Sequence, residues 1–188
     1  KIRFTGGEPL ARKDIVELIS ILKPLHDRYG LEIGITTNGT LLLKTLPMLK
    51  QSGVTGLNIS LDTLHKEKFM KITGKDKIEQ VLRSIEAARE LGFNPLKINC
   101  VVMKGINDNE ITDLVDFIKD TDLNIRFIEY MPFSGNSWNE GKFISYHNVK
   151  AIIEKKYQLI SLENKHGEVA NNYLIDGYRG RVSFISAI

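Results

Sequence analysis

An α/β fold built on a parallel sheet is what the order of residue types predicts, and three observations predict it. Short apolar runs alternate with longer amphipathic ones along most of the chain. Four of the apolar runs end in polar turns, reading GGE, TTNG, SLD and EYMP. Of the 188 residues, 42% are hydrophobic, enough for one domain with one sizeable core. Strands alternating with helices give right-handed βα units, in an open doubly wound sheet or in a barrel.

The chain opens on Lys1-Ile2-Arg3-Phe4-Thr5-Gly6-Gly7-Glu8-Pro9, a strand that runs into a glycine turn. Side chains alternate between strand faces, so Lys1, Arg3 and Thr5 share one face while Ile2 and Phe4 share the other. A cationic face on an internal strand is costly unless an anion meets it. Gly6-Gly7 leaves the backbone open to a ligand. Taken alone, the stretch fits an edge strand with solvated charges and an ordinary turn.

A helix is expected over 13–29, perturbed near Pro24, because Ile15, Leu18, Ile19, Leu22 and Leu25 recur near helical spacing. A strand over 31–35 ends in the polar turn Thr36-Thr37-Asn38-Gly39, and a short helix over 44–51 follows. The next strand, 56–59, ends in Ser60-Leu61-Asp62, with helices over 65–72 and 77–91. The strand over 96–103 carries Lys97 and Asn99 on one face and Ile98 and Cys100 on the other. Gly105-Ile106-Asn107-Asp108 reads as the entry to a helix over 109–119, with Asn107 or Asp108 as its cap. A strand over 124–130 and a helix over 148–156 close the alternating part. Beyond them, 172–175 and 181–185 flank Asp176-Gly177-Tyr178-Arg179-Gly180 as a hairpin.

Charge and cysteine content exclude several classes. Twenty-six basic residues against 23 acidic ones leave a net +3, too small and too dispersed to argue for nucleic acid or a membrane surface. No apolar run approaches a membrane span and no secretory signal opens the chain. The single cysteine, Cys100, excludes a disulfide framework and cannot alone hold an iron–sulfur cluster or structural zinc. A reducing compartment fits. His26, His65, His147 and His166 have no spacing for a metal site or a catalytic triad. No catalytic and no metal-ligating residue is assigned within the chain.

In βα folds, side chains at the carboxyl ends of parallel strands converge on one face, where ligands bind. The polar motifs should therefore gather around one site. Arg126 would join Arg3 and Lys97 there, although alternation sets Arg126 on the opposite face from Glu129 and Met131 unless a bulge intervenes. Three cations at one mouth suit a phosphorylated ligand. For each cation alone an ion pair is the commoner role; their joint placement on strands favours the ligand. Glu129 is read as a carboxylate behind the site or as the partner of a strand cation, and Trp138 as a packing anchor.

The string KIRFTGGEPL, followed in order by TTNG, NISLDTL, KINCVVMKGIND and RFIEYMPF, closely resembles the radical S-adenosylmethionine (SAM) GTP 3′,8-cyclase family of molybdenum cofactor biosynthesis. The likeness runs over nearly the whole chain. It implies a partial (β/α) TIM-type barrel with strands two to six present, the first strand missing and a C-terminal hairpin. Residues 1–156 would form the barrel and 157–188 the start of an extension. It further implies a radical cyclisation of GTP, the first step of molybdopterin synthesis. By motif position Gly7, Ser60 and Met131 would line the SAM site, joined by Gly6, Glu8 and Asn99. Arg3, Thr36 and Lys97 match positions that contact GTP, with Lys1 and Arg126 as additions. The resemblance implies a homodimer whose product passes to the cyclic pyranopterin monophosphate synthase. It places the protein in the mitochondrial matrix for a eukaryotic source and in the cytoplasm for a bacterial one.

The family's two 4Fe–4S clusters depend on a Cys-x3-Cys-x2-Cys loop before the GGEP strand and on three cysteines after the Phe-Ile-Ser stretch. Neither set is in this chain, which is expected to be an internal fragment that cannot cleave SAM unaided. The rival expectations are a cluster-free phosphate-binding (β/α) enzyme, with Glu8, Asp62 or Lys97 in acid/base roles, and a non-catalytic nucleotide-binding module.

Overall fold

A computed structural model describes residues 1–132, 139–163 and 169–186. In chain order the elements are β1 (Ile2–Phe4), α1 (Ile15–Ser20), α2 (Lys23–Tyr29), β2 (Ile33–Thr37), α3 (Leu42–Gln51) and β3 (Gly56–Ser60). There follow α4 (Lys66–Thr73), α5 (Ile78–Glu90), β4 (Leu96–Val102), α6 (Ile111–Phe117) and β5 (Asn124–Glu129). Last come α7 (Tyr146–Glu154), β6 (Leu159–Ser161), β7 (Asn171–Ile175) and β8 (Arg181–Ile185). They fall into two compact units, Lys1–Leu61 with Lys77–Lys97, and Asp62–Asp76 with Ile98–Ile188.

In the first unit β1, β2 and β3 run parallel in that order. Arg3 is the register partner of Gly34, and Thr36 of Asn58. Period-two alternation then separates the faces. Ile33 and Ile35 of β2 and Leu57 and Ile59 of β3 are fully buried, as are Leu42, Leu46 and Leu49 of α3 and Val81 of α5. Gly34, Thr36, Asn58 and Ser60 lie on the other face. The single helix expected over 13–29 is two. Pro24 is the second residue of α2, and it lacks the N–H that would have continued α1, so the chain breaks just before it.

In the second unit β5 and β8 are parallel, with Arg126 opposite Ser183, and β8 pairs antiparallel with β7. The expected hairpin is therefore present, and its second strand lies beside β5. The three-residue β6, which pairs antiparallel with β7, was not foreseen. Ile125 and Phe127 of β5 meet Val182 and Phe184 of β8 on the buried face. A Cβ at Gly180 would stand 2.5 Å from the carbonyl oxygen of Ile118, so only glycine fits where the hairpin closes onto the end of α6.

Asn107 stands at the N-cap of the one-turn 3-10 helix Asp108–Glu110 that leads into α6, but its side chain makes no capping hydrogen bond. The buried Asn107 amide donates to the carbonyls of Asp62 (2.7 Å) and Val101 (2.9 Å) and accepts from the Met103 N–H (2.7 Å). It closes the loop after β4 instead. Cys100 is fully buried, on the face alternation gave it. Among the described residues no helix is long and apolar enough to cross a membrane.

Candidate functional site

Glu8 organises the strand ends of the first unit. Its carboxylate accepts the Thr37 hydroxyl (2.7 Å) and the Asn38 N–H (2.7 Å), and also the Leu10 N–H (3.1 Å). The GGEP turn after β1 is thereby tied to the TTNG turn after β2. That second turn is fixed from within as well: Thr37 Oγ1 accepts the Gly39 N–H (3.1 Å), and Asn38 Oδ1 accepts the Thr40 N–H (3.0 Å). Gly39 has φ +77, and a Cβ there would lie 3.1 Å from both Ile59 and Val81, so conformation and space both require glycine. Thr36 lies on the opposite strand face from Thr37.

Gly6 and Gly7 are exposed, and a Cβ at either would meet nothing within 4 Å. The backbone there is open to a ligand. Arg3 is half-buried and lies across the strand over Gly34. Its Nη1 is enclosed, and none of its nitrogens has a hydrogen-bond partner among the described residues. Burial draws its pKa down, against the pull of Glu32. Lys1 Nζ pairs with Glu32 at 2.7 Å. That hydrogen bond, with the charge of Lys97 adding, holds the Glu32 carboxyl below the usual carboxylate range. Ser60 ends β3, half-buried.

In the second unit Arg126 donates through Nε (2.8 Å) and Nη2 (2.6 Å) to the Asn99 side-chain oxygen. The expected SAM residue Asn99 and the expected GTP residue Arg126 thus form one pair across β4 and β5. Glu129 is on the opposite face from Arg126, as strict alternation requires, and the register of β5 with β8 runs unbroken from Asn124 to Ile128. It is 7% exposed and accepts the Tyr146 N–H at 2.7 Å, so it satisfies the N-terminus of α7. Met131 is half-buried after the strand end, whereas Trp138 and His166 lie outside the described residues.

Two further carboxylates of this unit are enclosed, and only the first of them is singled out by the sequence. Asp62 accepts the Val101 N–H at 2.8 Å and keeps partial surface exposure, yet burial pushes its pKa up to about 6. Glu110 is 1% exposed. It takes the Thr63 hydroxyl (2.6 Å), the Leu64 N–H (3.1 Å) and Lys68 Nζ (2.6 Å). Burial alone would raise its pKa, but these donors together hold it below the usual range. Only the SLD motif itself pointed toward Asp62, and Glu110 is one acid among several at a helix entry.

Comparison with known proteins decides the family. Residues 1–118 match the family described as the Radical SAM superfamily. This chain is a member of the radical SAM superfamily. Residues 123–188 match a second family, Molybdenum Cofactor Synthesis C. The whole chain aligns at 47% identity with the mitochondrial GTP 3′,8-cyclase of Arabidopsis thaliana, covering 48% of that protein. It aligns at 42% identity with molybdenum cofactor biosynthesis protein 1 of Homo sapiens (29% of it) and at 41% with the GTP 3′,8-cyclase of Petrotoga mobilis (58% of it). The chain therefore spans between 29% and 58% of the length of these relatives. Among solved structures, SuiB of Streptococcus suis bound to S-adenosylmethionine superposes with a TM-score of 0.67 at 20% identity, over 99% of this chain and 39% of that one. Coproporphyrinogen III oxidase of Escherichia coli, a radical SAM enzyme, gives 0.58 at 15% identity, over 98% of this chain and 50% of that one. These neighbours share the α/β fold. The superfamily is built around SAM and an iron–sulfur cluster, and the second family is described by molybdenum cofactor synthesis.

Proposed function

We propose that the intact protein carrying this chain is a GTP 3′,8-cyclase that acts on GTP by radical SAM chemistry. The observation that carries the reading is Arg3. It is a half-buried cation with one enclosed nitrogen and no hydrogen-bond partner among the described residues, on the strand that enters the GGEP turn. Holding a guanidinium out of water with no acceptor costs free energy, and an anionic phosphate at its exposed edge offsets that cost. The end-to-end matches to the Radical SAM superfamily and to Molybdenum Cofactor Synthesis C support the same reading.

On this reading the open backbone at Gly6 and Gly7 receives the ammonium of SAM, with Ser60, Asn99 and Met131 completing its site. Glu8, whose oxygens are engaged by Thr37 and Asn38, shapes that turn. Arg3, Thr36 and Lys97 contact GTP, and Lys1 and Arg126 are assigned as further GTP contacts. The backbone at Gly6 and Gly7 fits SAM; the chain's own residues do not fit an iron–sulfur cluster. Cys100 is its one thiol, fully buried, and burial keeps the pKa of that thiol well above its ordinary value. Among the described residues no three His, Cys, Asp or Glu side chains gather as a metal site. The ligands of the two 4Fe–4S clusters are assigned to segments outside this chain. SAM, once bound and given one electron by a reduced cluster, would supply the radical chemistry; this chain's residues would bind and orient it.

We further assign residues 1–156 to the barrel and 157–188 to the extension. The intact protein is a homodimer, located in the mitochondrial matrix for a eukaryotic source and in the cytoplasm for a bacterial one, and its product feeds the synthase of cyclic pyranopterin monophosphate. The test is anaerobic reconstitution of the intact protein with iron, sulfide and reductant, followed by assay of 5′-deoxyadenosine and cyclised nucleotide with SAM and GTP. Formation of both, with loss of GTP binding in Arg3→Ala, is the expected result. SAM cleavage indifferent to GTP would overturn the substrate assignment.

A further inference from the structure

We infer that Gly34 is a positioning residue for Arg3, a role that rests on the reading of Arg3 as a nucleotide contact. The two residues are register partners on adjacent parallel strands, so they share one face of the sheet. A Cβ built at Gly34 would stand 3.1 Å from Arg3 Nη1, 3.3 Å from Cζ and 3.5 Å from Nη2. Three atoms of the guanidinium plane at nearly equal distance mean that the group lies flat over the strand. Glycine is the one residue that leaves room for it there.

Backbone conformation gives no other reason for glycine at this place. Gly34 is not in the left-handed region that Gly6 and Gly39 occupy, and it lies inside β2 rather than at a turn. Glycine inside a strand loses entropy on folding and packs nothing, so the position gives up stability. The neighbouring Gly56 has a different reason to be small, because a Cβ there would meet the Pro95 carbonyl oxygen at 2.9 Å. Gly34 alone is matched to Arg3.

Laid flat, the guanidinium turns one nitrogen into the protein, where it meets no acceptor, and leaves the rest of its edge for a ligand. A methyl group at 34 would lift the plane by a few tenths of an ångström and swing that edge. The atoms in the way are the far end of a flexible side chain, so the strand need not move. Gly34 thereby selects the direction from which a phosphate is met, while Arg3 supplies the charge.

The experiment is Gly34→Ala in the intact, cluster-loaded protein under anaerobic conditions. GTP and SAM affinities are measured by equilibrium binding, alongside the thermal midpoint. The expected result is a GTP dissociation constant raised about ten-fold, as for misplacing one charge-assisted contact. SAM affinity stays within about two-fold, and the midpoint is unchanged or higher because alanine suits a strand better. In an Arg3→Lys background the same change should weaken GTP by less than about two-fold, since an ammonium has no plane to lay down. Unaltered GTP affinity in Gly34→Ala, or GTP and SAM affinities falling together with a lowered midpoint, would overturn the inference. Arg3→Ala separates it from the reading beneath it. If that variant binds GTP normally, the nucleotide reading of Arg3 falls and the inference with it. If only Arg3→Ala loses GTP, the positioning role alone falls.

Discussion

Arg3 on β1 and Arg126 on β5 are both strand cations on the face opposite the packed apolar residues, and the chain places them by opposite means. Arg126 is held by a polar partner, with two of its nitrogens directed to Asn99. Arg3 is held by shape, its plane resting over a residue without a side chain and one nitrogen enclosed without an acceptor. A hydrogen-bonded cation is stabilised before any ligand arrives, whereas an unsatisfied one is stabilised by the ligand. On the proposed reading, the contrast separates a group whose orientation is set by the protein from one whose hydrogen bonding is left for the substrate.

The sharpest way to break that contrast is Arg3→Ala. Loss of a charge-assisted contact is worth about 2–3 kcal/mol, on the order of a hundred-fold in GTP affinity. The thermal midpoint should not fall, because an unsatisfied donor is removed. A midpoint several degrees lower with GTP affinity intact would make Arg3 a structural residue and erase the difference from Arg126. Asn99→Ala comes next in size. It releases the Arg126 side chain at a cost of about 1–2 kcal/mol and also removes a proposed SAM contact, so the KM for GTP and the KM for SAM should each rise about ten-fold. A change in the SAM KM only would show that Arg126 does not depend on Asn99 to meet GTP.

How much of this was legible follows from the range over which each feature is decided. Strand faces are set by alternation, so Arg3, Asn99, Arg126 and the buried Cys100 were placed from the string itself. Boundaries depend on more. Thr36 and Thr37 read as a turn but end β2, because β-branched residues continue a strand as readily as they leave one. β6 has three residues, too few to show a period. Side-chain partners were the least visible. Glu8 reaches Thr37 and Asn38 across 29 and 30 positions, and Glu129 reaches Tyr146 across 17. Each depends on strand register and loop closure, which no local pattern encodes. The Gly34 clearance is visible only once that register is known.

Glu8 offers a smaller test of the same distinction between ligand contact and placement. Thr37→Val deletes the hydroxyl that Glu8 accepts and should cost about 1 kcal/mol of stability. If Glu8 shapes the turn, Thr37→Val and Glu8→Gln should each raise the KM for SAM modestly. Their double variant should then be no worse than Glu8→Gln, the signature of a shared contact. If Glu8 contacts SAM itself, Thr37→Val will leave the SAM KM untouched, and a steady-state titration shows which holds.

The smallest expected effect comes from two carboxylates of the second unit whose environments push in opposite directions. Asp116 is drawn down to about 2, first by the Tyr178 hydroxyl and then by Lys156 and Tyr157, while burial raises Asp62 to about 6. An acid lowered in the folded state stabilises it above the unfolded pKa, so the Asp116 contribution is lost as pH falls from about 4 to about 2. An acid raised in the folded state does the reverse. Its contribution is present below about 4 and is lost as pH rises to about 6. Stability should therefore climb to near pH 4 and then carry a shallow decline to pH 6 from Asp62. The decline should be under about 1 kcal/mol, because partial exposure screens the charge. Asp62→Asn keeps an oxygen for the Val101 N–H and removes the ionisation, so denaturation midpoints between pH 4 and 6 should lose that decline while Asp116→Asn leaves it in place. If the two variants trace the same curve over that interval, the Asp62 carboxyl is ionised as easily in the folded protein as in water, and its enclosure carries no electrostatic cost.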